Sequence, residues 1–228
     1  MLDFHEFYLT LIRHGQSTTN QNPDLMGQAP DVPLSDKGIK QAQRLWERLA
    51  TVIQPFDEFY CSTYVRAIQT AEIATNYNRH LTYVHDLREY SAGDWTGASR
   101  SETVTLPVAA RMNLLNYNFL PPNGEALAQV ERRASLWLEN EILYNKEKQN
   151  KAASLSKDRQ VVNYYVFSHG MTIKCLLHYI LGFDKSLTWK FSIENTSISQ
   201  LYFGQDGWRL ISINDHAHLS TLWTPNQI

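Results

Sequence analysis

Side chains that could do chemistry follow four short apolar runs of the chain. They are Arg13 and His14, Arg66, Glu89, and His169. A neutral imidazole can act as a nucleophile or a base, and a carboxyl group can transfer a proton. A guanidinium group binds an oxyanion through two parallel hydrogen bonds. These residue types therefore indicate nucleophilic or acid–base chemistry on a negatively charged group.

The chain that carries these residues alternates between strand-like and helix-like segments. Apolar runs predict strands at Phe7–Ile12, Phe56–Cys61, Leu81–Val84 and Val161–Phe167. Helical spacing predicts a helix capped by Ser35 that ends near Pro55, and helices over Arg66–Tyr77, Ala126–Tyr144 and Met171–Leu181. A hairpin is predicted for Ser197–Phe203 and Trp208–Ile213, and a solvated helix end plus a loop for Lys146–Arg159.

Strand–helix alternation predicts an α/β fold, namely a three-layer αβα sandwich around a mainly parallel central sheet. We expect one domain over residues 1–228, because this length supplies a single sizeable core. The carboxyl ends of parallel strands lie at one edge of a sheet, where the chemistry of such folds gathers. The two histidines, two arginines and the glutamate are therefore expected to converge there and to form a functional site.

The composition limits the environment and the partners of the chain. With 43% hydrophobic and 19% charged residues, it is typical of a globular protein. A formal net charge of −2 gives no reason to expect nucleic acid or an anionic membrane as a partner. Cys61 and Cys175 are expected to be buried free thiols in a reducing compartment. Because the N-terminal residues are acidic and the apolar stretches are short, we expect a cytoplasmic protein.

An ordered series of short motifs runs along most of the chain. Its members are Leu11–Gly15 (LIRHG), Asn20, Gly27, Leu34–Ala42 (LSDKGIKQA), Ser62–Ala71 (STYVRAIQTA), Leu87–Glu89 with Gly93–Gly97, Asn123–Glu125, Ser168–Gly170 and Asn195–Ser197. This series resembles the motifs of the histidine phosphatase superfamily, which includes the cofactor-dependent phosphoglycerate mutases. Tyr64, Thr96 and Ala126 depart from the usual pattern, which bears on specificity more than on activity.

The resemblance implies a phosphoglycerate mutase-like fold and a phosphatase that hydrolyses phosphate monoesters through a phosphohistidine on His14. Glu89 would then be the proton donor. The resemblance also implies that the phosphate is bound by Arg13, Asn20, Arg66, His169 in its protonated form, and Gly170. We expect the cationic cluster to lower the pKa of His14 and so to keep its ring neutral. Neither a metal ion nor a cofactor is implied, since the arginines and His169 supply the positive charge.

Two other functions stay open, a mutase-type phosphotransferase and a catalytically weak phosphate-recognition or scaffold protein. Mutases carry a basic segment for a second phosphate, whereas Gln16–Asp31 has no lysine or arginine. Residues 96–125 are expected to form a cap insertion, whose apolar side chains either line a substrate pocket or simply pack on the core. The expected substrate is a phosphorylated small molecule, with a phosphoprotein as the second option.

Rival chemistries fit the sequence less well. A cysteine-dependent phosphatase needs five residues between its cysteine and arginine, but four separate Cys61 from Arg66. Neither a Walker motif nor the Asp-x-Asp start of an aspartyl-phosphate enzyme occurs in the chain. His216 and His218, after Asp215, are expected to be surface or packing residues rather than metal ligands.

Overall fold

The structure, a computed structural model, describes residues 5–22, 24–27 and 29–222. Its centre is a six-stranded sheet in the order β3-β2-β4-β1-β5-β6. The strands are β1 (Phe7–Arg13), β2 (Glu58–Ser62), β3 (Leu81–Val84), β4 (Val162–Ser168), β5 (Ile198–Gly204) and β6 (Gly207–Asp215). The first four strands are parallel to one another, whereas β5 and β6 form the predicted antiparallel hairpin.

Helices cover both faces of this sheet. They are α1 (Asp36–Leu49), α2 (Val65–Ala74), α3 (Arg100–Thr103), α4 (Leu106–Leu115), α5 (Leu127–Leu138), α6 (Lys146–Lys157) and α7 (Gly170–Leu181). Leu9 of β1 packs in one apolar cluster with Leu176 of α7, and Phe167 of β4 packs in a second cluster with Leu45 of α1. The predicted three-layer αβα architecture around a mainly parallel sheet is confirmed.

Local chemistry sets the ends of these helices. Ser35 caps α1, as predicted, because its side chain accepts a hydrogen bond from the backbone N–H of Gly38. The predicted helix over Ala126–Tyr144 ends earlier, since α5 stops at Leu138 and a π-helical turn follows over Glu139–Leu143.

The prediction for Lys146–Arg159 is wrong, because this stretch forms α6, a helix of its own. The Asn145 side chain caps it by accepting hydrogen bonds from the backbone N–H groups of Glu147 and Lys148. Lys148 and Lys151 then pair with Glu58 of β2. Polar composition predicted the end of a preceding helix and a loop, but a cap and ion pairs to a distant strand stabilise a separate helix.

The segment over residues 96–125 contains α3 and α4 and is tied at its start to the loop after β1. The backbone N–H of Gly97 donates to the Met26 carbonyl over 2.7 Å, and that of Arg100 donates to the Asp24 carbonyl over 2.6 Å. None of the residues of α4 is buried. Cys61 and Cys175 are free and buried, as expected. Within the described ranges, every helix falls short of the length or hydropathy that crossing a bilayer requires.

Candidate active site

The carboxyl ends of the four parallel strands bring the predicted residues together. Arg13 ends β1 and His14 follows it, Ser62 ends β2, Glu89 lies after β3, and His169 follows β4. The backbone N–H of His14 donates to the Ser168 carbonyl over 2.9 Å, which continues the pairing of β1 with β4 past the strand ends. The register of the sheet therefore places the two histidine motifs side by side.

His14 is held in one orientation by contacts at both ring nitrogens. Nδ1 lies 2.6 Å from the Gly15 carbonyl oxygen, and Nε2 lies 3.3 Å from Nε of Arg66. A carbonyl oxygen only accepts and a guanidinium N–H only donates. The proton of a neutral ring is therefore on Nδ1, and the lone pair of Nε2 accepts the hydrogen bond from Arg66.

The pKa of His14 is shifted well below its ordinary value. Burial contributes most, since the residue is 2% exposed, and the positive charges of Arg66 and Arg13 add to the shift. The direction agrees with the expectation from the sequence, although burial outweighs the arginines. At neutral pH, His14 is an uncharged imidazole among cations.

The two arginines are anchored by backbone carbonyl groups. Nη1 of Arg66 donates to Ala29 over 2.9 Å, and Nη1 of Arg13 donates to Ile193 over 2.5 Å. Burial lowers the pKa of Arg66 to about 10, and it lowers the pKa of Arg13 as well, while the charge of Glu89 opposes both shifts. Both side chains remain cations at neutral pH.

His169 packs beside His14, with 5.1 Å between the ring centroids. Its Nε2 lies 2.7 Å from Oγ of Ser62, and the ring of Tyr64 meets its edge at 5.2 Å between centroids. The sequence led us to expect a protonated ring, but burial and the charge of Arg66 shift the pKa of His169 well below its ordinary value. Both effects favour the neutral ring in the absence of a bound anion, and protonation of His169 beside a phosphate stays a prediction.

Glu89 is held at the N-terminus of α7. Its Oε1 accepts hydrogen bonds from the backbone N–H groups of Tyr90 (3.0 Å) and Thr172 (3.2 Å), and its Oε2 accepts one from Met171 (3.1 Å). Arg133 fixes the same loop, since its Nη2 donates to the Glu89 carbonyl over 3.2 Å. The carboxylate is thus fixed, and it is near enough to Arg13 and Arg66 for its charge to raise the pKa of both.

Three buried side-chain nitrogens of this cluster have no hydrogen-bond partner within the described parts of the chain. They are Nε of Arg13, Nη2 of Arg66 and Nδ1 of His169. Leaving a buried donor unpaired costs about 1–3 kcal/mol, so such groups need an explanation in a native fold. All three belong to guanidinium or imidazole groups, which are suited to binding the oxygens of an anion.

These observations decide the family. A family model described as histidine phosphatase superfamily (branch 1) matches residues 9–216. The chain belongs to the histidine phosphatase superfamily. The matched region contains all four strand ends of the cluster, so the resemblance seen in the short motifs extends to the fold.

Individual relatives agree with this family membership. The chain is 34% identical over 139 residues to fructose-2,6-bisphosphatase TIGAR B of Danio rerio, which covers 59% of this chain and 52% of that protein. It is 27% identical to the adenosylcobalamin/alpha-ribazole phosphatase of Escherichia coli, over 92% of this chain and 96% of that protein. The structure of YhfR from Bacillus stearothermophilus matches with a TM-score of 0.74 and 25% identity, over 94% of this chain and 100% of that chain. The chain spans about half the length of the bisphosphatase relatives that it matches.

Two predicted binding residues differ in how they relate to the cluster. Gly170 lies against Arg13, because a Cβ built on this glycine would be 3.5 Å from the arginine Nε. Asn20 forms its hydrogen bonds with Ser17, and none joins it to the histidines or arginines within the described residues. A role of Asn20 in binding phosphate therefore stays a prediction.

Two further residues of the histidine phosphatase cluster, Ser62 and Asn195, have no role predicted from the sequence. Ser62 contacts His169, and Nδ2 of Asn195 donates to the His14 carbonyl over 2.9 Å. Ser62 directly follows the predicted strand Phe56–Cys61, and this position at a strand end was the signal that could have found it. Asn195 is far from His14 along the chain and was visible only as part of a motif without a role.

The histidines near the end of the described chain are engaged in packing contacts. His218 lies between Arg48 and Oγ1 of Thr196, and Asp215 forms an ion pair with Arg48. Nδ1 of His216 lies 2.8 Å from the Asn214 carbonyl oxygen. In the part of the chain that the structure describes, no group of three His, Cys, Asp or Glu residues is arranged to hold a metal ion.

Proposed function

We propose that this protein is a metal-independent phosphatase that hydrolyses phosphate monoesters of small molecules through a phosphohistidine on His14. The observation that carries the proposal is the hydrogen bond from Nε of Arg66 to Nε2 of His14. It supports Nε2 as the unprotonated nitrogen of a neutral ring, beside a cation and in the same cluster as buried nitrogens that can donate to phosphate oxygens. The two buried thiols support a reducing, cytoplasmic environment.

In the first step, Nε2 of His14 attacks phosphorus. A P–N bond forms while the bond from phosphorus to the ester oxygen breaks, and Glu89, which enters this step as the protonated acid, transfers its proton to that oxygen and becomes a carboxylate. Arg13, Arg66 and His169 hold the three remaining oxygens as charge spreads over them. The charge of a bound phosphate also favours protonation of His169, which makes this ring a stronger donor during the reaction.

In the second step, a water molecule hydrolyses the phosphohistidine. The water oxygen attacks phosphorus while Glu89 takes a proton from the water. The P–N bond then breaks, and its electron pair returns to Nε2 of His14. The hydrogen bond from Nδ1 of His14 to Gly15 keeps the ring aligned through both steps. The arginines supply the positive charge that other phosphatases obtain from metal ions.

The distribution of cations favours a phosphatase over a mutase. A mutase must retain a bisphosphate and let it reorient within the site, which requires cations that bind the second phosphate. Residues 16–31 contain neither lysine nor arginine, and residues 96–125 contain only Arg100 and Arg111. Hydrolysis of a monoester requires just the cluster around His14.

The test compares hydrolysis of p-nitrophenyl phosphate by the wild type, His14→Ala and His80→Ala. His80 is an exposed histidine away from the cluster, so its replacement is the matched control. We expect His14→Ala to lower kcat/KM roughly a thousandfold or more, and His80→Ala to leave it unchanged. Phosphohistidine is labile in acid, so the reaction is quenched with base before mass spectrometry. We expect one phosphoryl group on the wild type and none on His14→Ala.

Other outcomes would overturn the proposal in distinct ways. Unchanged activity in His14→Ala would exclude this nucleophile. Binding of inorganic phosphate without turnover in the wild type would indicate a recognition protein. Faster interconversion of phosphoglycerates than release of phosphate, measured with a bisphosphoglycerate primer, would indicate a mutase.

A further inference from the structure

A cavity of about 400 Å³ lies beside the residues proposed to act in catalysis. The segment over residues 96–125, the start of α5 and the turn around Ser186 and Trp189 enclose it. The side chains that determine its character are Tyr90, Trp95, Arg100, Met112, Phe119 and Trp189. Its volume falls within the range of pockets that bind small molecules.

Two elements connect this cavity to the site around His14. Tyr90 lines the cavity, and its backbone N–H donates to Oε1 of Glu89 over 3.0 Å. The pKa of the Tyr90 phenol is raised by burial and by the charge of Glu89, and it is lowered by the charge of Arg100. The cavity is therefore lined by Tyr90, which follows the proposed proton donor Glu89 in the chain. The alcohol part of a bound ester must lie near that donor, because its oxygen receives the proton.

The loop after β1 forms the second connection. Met26 lines the cavity, while Ala29, three residues further along, accepts the hydrogen bond from Nη1 of Arg66. The same loop is tied to the 96–125 segment through the bond between Gly97 and Met26. The loop after β1 therefore both lines the cavity and anchors Arg66.

The walls of the cavity offer flat aromatic surfaces. The rings of Trp95 and Phe119 stack on each other, with 5.6 Å between centroids and 25° between planes. Trp189 is 64% exposed, and its indole N–H donates to Oδ1 of Asn116 over 3.3 Å, which fixes the ring at the edge of the cavity. The thioether of Met112 adds a polarisable contact suited to aromatic rings. Such surfaces favour a planar, apolar group.

The charges of the cavity argue against a second phosphate or a carboxylate-rich ligand. Among the lining residues, Arg100 is the cation, while Glu125 is an anion already paired with Arg133 over 3.0 Å. A sugar bisphosphate would place a dianion and several hydroxyl groups against mostly apolar walls, where unpaired polar groups are costly. The lining therefore selects against such substrates.

We propose that the substrate is a phosphate monoester whose alcohol carries a flat aromatic or heteroaromatic ring, and that this ring binds in the cavity against Trp95, Phe119 and Trp189. The proposal rests on the phosphatase function proposed above and adds the class of the leaving group. Asn113, Asn116 and Ser186 line the same cavity and can pair with heteroatoms of the ring.

The test uses three primary alkyl phosphates, namely naphthylethyl, cyclohexylethyl and ethyl phosphate. Their leaving groups are of similar basicity, so differences in kcat/KM report binding of the side group rather than intrinsic reactivity. We expect naphthylethyl phosphate to be hydrolysed with at least roughly tenfold higher kcat/KM than either of the other two. Release of phosphate is the readout for all three.

The variants are Trp95→Ala and Trp189→Ala, with Trp46→Ala as the control. Trp46 is a partly exposed tryptophan on α1, outside the lining of the cavity. We expect each cavity variant to lower kcat/KM for naphthylethyl phosphate roughly tenfold and to leave ethyl phosphate unchanged. Because Trp189 is largely exposed, its replacement tests the proposal even where Trp95→Ala impairs folding.

The outcomes separate this proposal from the proposed function. Hydrolysis of p-nitrophenyl phosphate that depends on His14, combined with equal kcat/KM for all three alkyl phosphates, would overturn the aromatic substrate and retain the phosphatase. Equal kcat/KM for the naphthylethyl and cyclohexylethyl esters would show that the cavity binds any apolar group, and it would overturn the aromatic assignment. Failure to hydrolyse any ester, including p-nitrophenyl phosphate, would overturn the phosphatase itself.

Discussion

Nε of Arg66 donates a hydrogen bond to Nε2 of His14 over 3.3 Å, and both residues are buried, with exposed fractions of 0% for Arg66 and 2% for His14. Burial does most to lower the pKa of His14, and the positive charge of Arg66 lowers it further, so that both favour the neutral ring. The same guanidinium has a buried Nη2 without a partner within the described chain. Arg66 therefore links the protonation state of His14 to the binding of the phosphate that His14 is proposed to attack.

Replacing Arg66 with lysine should impair activity although the charge is kept. Lysine supplies a point charge, whereas the contacts to His14, Ala29 and a phosphate oxygen require the planar fork of a guanidinium. We expect Arg66→Lys to lower kcat/KM for p-nitrophenyl phosphate roughly a hundredfold. Arg79→Lys, at an arginine near the ring of Phe59, is the control. A loss of less than threefold in Arg66→Lys would contradict this role.

The pKa of His14 should rise when the charge of Arg66 is removed. Burial remains in Arg66→Gln, so the pKa should move only part of the way back toward its ordinary value of 6.5. The neutral form would then be lost at a higher pH than in the wild type. NMR titration of ring-labelled histidine, with the signal assigned by its loss in His14→Ala, measures both values. A wild-type pKa at or above 6.5 would contradict the structure.

Acid should destabilise the fold through its buried histidines. The unfolded chain binds a proton at each histidine near pH 6.5, while His14 and His169 in the folded chain stay neutral to much lower pH. The unfolded state then binds more protons, so the free energy of unfolding falls as pH drops below about 6.5, by about 1.4 kcal/mol per pH unit for each residue. The decline ends only below the lowered folded pKa values.

His169→Gln isolates one part of this dependence. The variant removes one titrating group, so its free energy of unfolding should fall less steeply between pH 6.5 and pH 5 than that of the wild type. The expected difference between the two slopes is about 1.4 kcal/mol per pH unit. Urea unfolding at several pH values measures both slopes, and the comparison cancels the other histidines. Equal slopes in the two proteins would show that His169 is not neutral in the folded state.

Strand ends were the part of the site that could be predicted. The apolar run before Arg13 and the one before His169 identified two parallel strands, and parallel strands place their carboxyl ends together. Contacts between distant residues could not be predicted in the same way. Ser62 and His169 are 107 positions apart, and only the pairing of β2 with β4 brings them within 2.7 Å.

Helices without an apolar face were the part of the fold that the sequence did not predict. In α6, only Ala152 is buried, so hydrophobic periodicity gave little signal. Its stability depends on the cap by Asn145 and on lysine contacts with Glu58, which appear only once the sheet is formed. The lowered pKa of His169 could not be predicted either, because the extent of burial follows from packing rather than from the motif.

Gly38→Ala should displace the loop that follows His14, because two backbone segments touch at this glycine. A Cβ on Gly38 would lie 2.0 Å from the Gln16 carbonyl oxygen, and a Cβ on Gly15 would lie 2.7 Å from the Gly38 carbonyl oxygen. Backbone atoms cannot rotate away as a side chain can, so the loop after β1 must move off α1. We expect Gly38→Ala to lower the free energy of unfolding by about 3 kcal/mol and to reduce kcat/KM at least tenfold.

Gly182→Ala separates this steric effect from the general cost of replacing a glycine. Gly182 ends α7 with φ of 65° and has open space around its Cα, so alanine there meets only the strain of the left-handed conformation. That strain costs about 1 kcal/mol, and activity should be unchanged. Urea unfolding and p-nitrophenyl phosphate hydrolysis on the two variants make the comparison. If Gly38→Ala were no more harmful than Gly182→Ala, close contact between α1 and the loop could not be what positions His14.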